Sequence, residues 1–318
     1  MSIEEQLAIF LYTCVTGLSS RHVAERFQRS PDTVTKYFKA MLFFFSSDPF
    51  YSSQVKFPSS ATPISDHIIR DPQFQFFDQC IGAVDGTHIH TFVPAEQQFH
   101  MRNRKGFLSQ NCLFICNFEF SFISALCGWD GSMADAALWT DTRTINLQIP
   151  EGRYLLADTG FGTCNTLLVP YRGVQYHLKE WWRANAKPQN KEELFNLHHS
   201  ALCNVIERIF GVLKHQWHIL QLAPKYSMAI QARIPAALCA IHNFIRNDDP
   251  DIFERDFLGD LVEIDHDVGW GTLAEGPSDA AERRHADTRR DRITEDMWAD
   301  YLDEHRRQSL PLPGNTTN

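Results

Sequence analysis

The sequence predicts an α/β domain with a mixed sheet, preceded by a small all-α unit, and three observations carry that prediction. Cys80-Ile81-Gly82-Ala83-Val84 and Tyr154-Leu155-Leu156-Ala157 are apolar runs of strand length, and each leads into an aspartate, Asp85 and Asp158. Val205, Ile206, Ile209, Phe210 and Leu213 recur at the spacing of one helix face, with Glu207 inside the pattern. The beginning of the chain holds repeated helix-start signals instead of alternation.

Taken in order, residues 4–15 read as an amphipathic helix, Ser19-Ser20 caps a second helix over 21–27, and Ser30-Pro31 opens a third with a cap and a proline at its first position. This is a helix-turn-helix-like unit over residues 1–45. Its third helix would turn Thr33, Thr35, Lys36 and Lys39 outward, as a groove-reading helix does, while Val34, Tyr37 and Phe38 pack inward. A small packing or dimerisation unit fits the same pattern. Residues 46–74 are a Ser- and Pro-rich connector with room for short helices.

The α/β domain then occupies residues 75–247. It is expected to hold a three-strand meander over 80–128, a helix from Ala134, a strand into Asp158, the Glu207 helix and a further helix over 229–245. Residues 181–196, with Pro188 and several charges, read as an irregular excursion before the Glu207 helix. Residues 248–318 form an acidic tail in which 275–286 is marginal. Residues 288–305 make an exposed helix with Ile293, Met297, Trp298 and Tyr301 as a docking stripe, and 314–318 should be disordered.

Composition bounds the class. With 318 residues, 43% of them apolar, the chain can build one large domain and a smaller one. No run reads as a membrane span, Glu4 and Glu5 interrupt any signal-peptide pattern, and eight scattered cysteines point to free, mostly buried thiols in a reducing compartment. The net charge of −9 is uneven, because the stretch from Asp248 onward carries nineteen acidic against eight basic residues and leaves the remainder slightly basic.

An ionised carboxylate beside apolar strands costs several kcal/mol unless a cation, a hydrogen-bond network or water compensates it. Two strand-borne aspartates and a helix-borne glutamate that converge would make an oxygen cage for Mg²⁺ or Mn²⁺. Each carboxylate alone also admits a plainer role, since Asp closes turns and caps, and exposed helical Glu is ordinary.

A longer series of motifs surrounds these carboxylates. Val84-Asp85-Gly86-Thr87-His88-Ile89, Arg102-Asn103-Arg104-Lys105-Gly106, Ser109-Gln110-Asn111, Gly128-Trp129-Asp130-Gly131-Ser132, Tyr154-Leu155-Leu156-Ala157-Asp158-Thr159-Gly160-Phe161, Tyr171 to Trp181, Asn204-Val205-Ile206-Glu207-Arg208-Ile209-Phe210-Gly211 and Ile241-His242-Asn243-Phe244 follow one another along the chain. The series resembles the successive blocks of PIF/Harbinger transposases and their domesticated nuclease relatives. Departures are Ala134 before Asp135, where the family often has His, and Gly160-Phe161-Gly162, where it often has Gly-Tyr-Pro.

The resemblance implies an RNase H-like DDE domain with its catalytic and metal-binding carboxylates at Asp85, Asp158 and Glu207, and two Mg²⁺ or Mn²⁺ ions assisting phosphodiester hydrolysis and strand transfer. Asp135 is a candidate accessory acid. Such proteins are expected in the nucleus, in the cytoplasm without their partner, and working with a Myb/SANT-like DNA-binding protein. DNA contacts are expected from local basic groups: Arg102, Arg104 and Lys105, then Arg172 and Lys179, then Arg208 and Lys214. A solvated charged face is the plainer alternative for each. Asp158-Thr159-Gly160 spells an aspartic-protease triplet but lacks a second copy. His88 and His90 lack partners at zinc spacing, and His198-His199 reads as solvated loop or helix start. The alternative function is a catalytically silent DNA- or chromatin-associated scaffold.

Overall fold

The computed structural model describes residues 1–145, 147–175, 187–250 and 280–309. Three helices come first: α1 (Ile3–Thr16), α2 (Ser20–Phe27) and α3 (Pro31–Phe45). The Ser2 and Ser30 hydroxyls accept the Glu5 and Thr33 N–H groups, each at 3.2 Å, satisfying donors that a helix start leaves open. Val34 packs with Ile9, Val23 and Ala24 to close the three helices on each other. Their other face is continuous with the main core, where Phe10, Phe38, Met41 and Leu42 are buried and Phe38 stacks on Tyr226 at 5.1 Å. Short helices α4 (Phe50–Gln54) and α5 (Asp66–Arg70) punctuate the segment that follows.

A five-stranded mixed sheet is the centre of the molecule, in the order β3-β2-β1-β4-β5. The strands are β1 (Cys80–His90), β2 (Ser109–Cys116), β3 (Phe122–Asp130), β4 (Tyr154–Leu156) and β5 (Leu167–Leu168). The meander β1-β2-β3 is antiparallel, whereas β4 lies parallel to β1 and β5 parallel to β4. This mixed α/β arrangement is consistent with the RNase H-like DDE fold expected from the motifs.

Alternation divides the sheet's faces. Ala83, Ile89, Cys112, Phe114 and Cys116 face one core, with α8 (Lys191–Gln216) and α10 (Arg233–Asp248). Val84, Leu113, Ile115 and Leu155 face the other, with α7 (Asp135–Ile145). Two further helices are α6 (Gln98–Met101), between β1 and β2, and α9 (Met228–Gln231), just before α10. Met228–Asp248 is long and apolar enough to cross a membrane by composition alone, but most of it is buried in protein, with Ala237, Leu238 and Cys239 fully enclosed.

Three expectations need correction. β1 does not stop at Asp85 but runs five residues further to His90, because Thr87 to His90 pair with Cys112 to Ser109. The excursion expected over 181–196 ends earlier, since Asn190 Oδ1 accepts the Glu193 N–H at 2.8 Å, Glu193 Oε2 accepts the Gln189 N–H, and α8 starts at Lys191. The C-terminal helix, α11 (Ala280–Ser309), is longer than 288–305 and takes in residues expected to be marginal, while its apolar stripe docks on the core as expected. Ala286, Ile293 and Met297 are buried there. Arg289 donates to the Asn165 and Leu167 carbonyls, and Glu282 accepts the Asn165 N–H, so α11 satisfies peptide groups at the sheet's β5 edge. All eight cysteines are free thiols. Residues 176–186, 251–279 and 314–318, with the expectations placed on them, lie outside the described residues.

Candidate active site

Strand register brings the two aspartates together. Ala83 of β1 is aligned with Leu156 of β4 in a parallel pair, and two residues further along each chain lie Asp85 and Asp158. Neighbouring strands run about 4.8 Å apart, so the two carboxylates leave adjacent strands at the same level. Asp158 sits two residues past the end of β4, where its Oδ1 accepts the Gly160 N–H at 2.8 Å. The turn role that Asp often plays is therefore realised here, and it fixes the carboxylate. Asp85 Oδ1 accepts its neighbour Gly86's N–H at 2.7 Å.

Helix α8 supplies Glu207 from above this level. Phe210, one turn on, packs edge-on against Phe114 at 5.4 Å, and Phe114 is the β2 residue directly opposite Asp85. One further turn along, Lys214 donates to the Thr87 hydroxyl at 2.6 Å, on the same sheet face as Asp85. The helix thus runs along β1 with Glu207 at its Asp85 end.

Asp135, the first residue of α7, reaches the pair from the opposite sheet face. Its Oδ1 accepts from Asn111 Nδ2 at 2.9 Å. It is seated against Gly86 so closely that a Cβ at that position would lie 2.0 Å from Asp135 Oδ1. A side chain at 86 would force the Asp135 carboxylate to shift, which favours glycine there.

The electrostatics report a cluster short of positive charge. Asp85 is pushed well above the ordinary carboxylate range, first by burial and then by repulsion from Asp158, Asp135 and Glu207, against the Gly86 N–H bond. Asp158 is pushed up to about 6 by burial, opposed by its Gly160 bond and reinforced by Asp135 and Glu207. Burial lowers Lys214 against the pull of Cys112 and Asp85, with Lys105 adding to the lowering. Among the described residues, no group of three His, Cys, Asp or Glu side chains is drawn close enough to hold a metal ion. The four carboxylates repel one another without closing into a cage. Oxygen donors alone, in excess negative charge, fit a hard divalent cation.

The basic candidates divide by what they touch. Arg104 and Lys105 are exposed at the tip of a tight turn closed by the Gly106 N–H to the Asn103 carbonyl at 2.9 Å, with Gly106 at φ +87°. Arg102 is exposed beside them and donates to the Gly106 carbonyl. Arg172 donates to the Thr159 carbonyl at 3.0 Å and so ties down the turn that carries Asp158. Arg208 stacks on Phe120 at 5.4 Å. On α3, the Thr33 hydroxyl is bonded to Ser30 at 2.8 Å, Lys36 is exposed, and Thr35 and Lys39 are half-buried. Lys179 lies outside the described residues.

His88 is bonded to Ser109 at 3.1 Å and His90 stacks on Phe107 at 4.4 Å. The His198-His199 expectation is corrected: both lie inside α8. His199 is fully buried, its Nε2 is 2.9 Å from the Leu168 carbonyl, and burial pushes its pKa down to about 4. Its partner is thirty-one residues away, which no local pattern shows.

The chain's comparisons with known proteins agree with this architecture. A model of the DDE superfamily endonuclease matches residues 84–243, which include all four carboxylates, and a domain family of unknown function, DUF8040, matches residues 1–47. "Putative nuclease HARBI1" of Rattus norvegicus is 27% identical over 58% of this chain and 50% of its own length, and the Homo sapiens protein of that name gives the same figures. Protein ALP1-like of Arabidopsis thaliana is 22% identical over 77% of this chain and 61% of its own, and Antagonist of like heterochromatin protein 1 from the same plant is 24% identical over 85% and 68%. The chain spans about half the length of the first two relatives. No solved structure matches it. With the family model covering half of the sequence and the Harbinger-derived relatives in agreement, the chain belongs to the DDE superfamily endonucleases.

Proposed function

We propose that this protein is a metal-dependent DNA endonuclease of the transposase type, with Asp85, Asp158 and Glu207 as its catalytic and metal-binding triad and Asp135 as an accessory acid. The observation that carries the reading is the parallel β1–β4 register, which sets Asp85 beside Asp158 under the helix bearing Glu207. When bound, two Mg²⁺ or Mn²⁺ ions supply charge stabilisation to the attacked phosphodiester and activate the attacking oxygen, from water in hydrolysis or from a DNA 3′-hydroxyl in strand transfer.

The chain's own residues prepare that site. Asp85 and Asp158 present oxygens at one level, each held by a backbone N–H. Arg172 holds the Asp158 turn in place. Because Asp85 and Asp158 both bind protons more tightly than ordinary carboxylates, loading the site would release protons and strengthen as pH rises, for Asp158 through about 6. Lys214, Arg102, Arg104 and Lys105 would receive DNA phosphates. Thr35, Lys36 and Lys39 on α3 would add contacts from a helix-turn-helix-like domain at 1–45, joined by the 46–74 connector to the nuclease domain at 75–247 and the tail from 248. A nuclear protein working with a Myb/SANT-like DNA-binding partner fits the lack of a strong basic cluster in the sequence.

The test is plasmid nicking in Mn²⁺ or Mg²⁺ by the wild type and by Asp85→Asn and Asp158→Asn, with folding checked by circular dichroism. Loss of nicking in both folded variants is the expected result, and unchanged nicking in either refutes the assignment. A second reading, a silent DNA- or chromatin-associated scaffold, is favoured by the absence of a closed three-residue metal group among the described residues and by the plant relative named for heterochromatin protein antagonism. It predicts no metal-dependent nicking by the wild type.

A further inference from the structure

The excursion between β1 and β2, residues 91–108, projects an aromatic ring into solvent from a rigid base. Phe99, on α6, is 83% exposed, while Val93 and Met101 on either side of it are buried at 2% and 4%. Gln231 clamps the start of the excursion: its Oε1 accepts from the Thr91 hydroxyl at 2.7 Å and the Phe92 N–H at 2.9 Å, and its Nε2 donates to the Phe92 carbonyl at 2.7 Å. The far side is held by the Ser132 N–H to the His100 carbonyl at 3.1 Å and by buried Asn103, whose N–H bonds the Phe107 carbonyl. A large apolar ring on an anchored element keeps its exposure at little entropic cost to any partner that covers it.

The surroundings say what that partner is. Between residues 92 and 106 the charged residues are Arg102, Arg104, Lys105 and Glu96, a net +2 in a chain of −9. Lys105 lies near enough to Lys214 to lower its proton affinity, so positive charge continues from the turn tip toward the helix that bears Glu207. Phe92, itself 42% exposed, carries the Lys225 ammonium 5.9 Å from its ring centre, and His100 meets Phe99 edge-on at 5.3 Å. Exposed rings interleaved with cations match a polyanion that also offers flat π-faces.

We propose that this excursion is a stacking platform, with Phe99 receiving an unpaired base of bound DNA while Arg102, Arg104 and Lys105 hold the adjoining phosphates. The inference rests on the nuclease reading only in taking DNA as the polyanion. His90 lies five residues beyond Asp85 on β1, roughly 16 Å at strand rise. At about 3.4 Å per stacked nucleotide along one strand, the root of the excursion, where it leaves β1, lies roughly five nucleotides from Asp85. The substrate it favours is therefore a duplex opened or single-stranded a short way from the cleavage point.

Fluorescence anisotropy of the full chain in EDTA, with a labelled single-stranded oligonucleotide and its duplex, tests this without cleavage. Phe99→Ala should weaken single-strand binding roughly tenfold and duplex binding less than about twofold, and Phe99→Tyr should restore it. The melting temperature should not change, because Phe99 is exposed. Equal losses on both forms, no loss on either, or no DNA binding by the wild type overturns the proposal. Because binding is read without metal, failure of the nuclease reading appears separately, as absent nicking by a protein that still discriminates the two DNA forms.

Discussion

Asp158→Asn should stabilise the metal-free protein at neutral pH, a result opposite to that of most substitutions at a buried polar residue. The isosteric amide keeps an oxygen for the Gly160 N–H, which Asp158 accepts at 2.8 Å, and removes a charge that burial, Asp135 and Glu207 oppose. The folded carboxyl titrates at about 6 against an ordinary 3.8. Between those values the native state holds more protons than the unfolded chain, so stability falls as pH rises and stays low above about 6. At 1.36 kcal/mol per pKa unit, the wild type forgoes about 3 kcal/mol at pH 7. At about 2.1 cal/mol/K of unfolding entropy per residue, over 318 residues, the variant should melt roughly 4 °C higher at pH 7 in EDTA. Near pH 4, where Asp158 is largely protonated, the difference should close. Differential scanning calorimetry across pH 4–7 reads both arms. A variant less stable at pH 7, or a difference that does not vary with pH, would mean that the Asp158 charge does not destabilise the fold.

Other perturbations read other contacts. Gly86→Ala places a methyl on the Asp135 carboxylate and should cost about 1–3 kcal/mol in urea denaturation, with a clearly smaller loss when made together with Asp135→Ala; equal losses would dissociate the two positions. Arg104→Glu with Lys105→Glu should weaken DNA binding and make the logarithmic salt dependence shallower by about 2, read by anisotropy between 50 and 200 mM salt; an unchanged slope removes the turn tip from the interface. Arg172→Ala should lower the nicking rate with little effect on DNA affinity, since its guanidinium holds the Thr159 carbonyl, and an affinity loss without a rate loss would make it a DNA contact.

Much of this was legible in residues whose neighbours in sequence are also their neighbours in space. The apolar runs before Asp85 and Asp158 and the periodic face around Glu207 depend on local pattern, and β1, β4 and α8 carry them where expected. The Asn190-x-x-Glu193 cap is equally local and sets the start of α8, against the opposing signal of Pro188 and the nearby charges. What stayed hidden is tertiary. The reach of β1 past Gly86 depends on pairing with β2, because glycine and two histidines give a weak strand signal. His199 is buried because β5 presents a carbonyl to it, and Arg208 is drawn to Phe120 at the β2–β3 turn. Asp135 appeared in sequence only as a neighbour of an altered motif, and its seat over Gly86 from the opposite face needed the sheet to exist first.

Isothermal titration of Mn²⁺ at pH 7 into the wild type, Asp85→Asn, Asp158→Asn and Glu207→Gln tests the central arrangement most directly. Saturable binding of up to two ions by the wild type, with proton release, is expected, and its loss or marked weakening in each variant. Absence of binding by the folded wild type, or binding that survives all three substitutions unchanged, would contradict that arrangement.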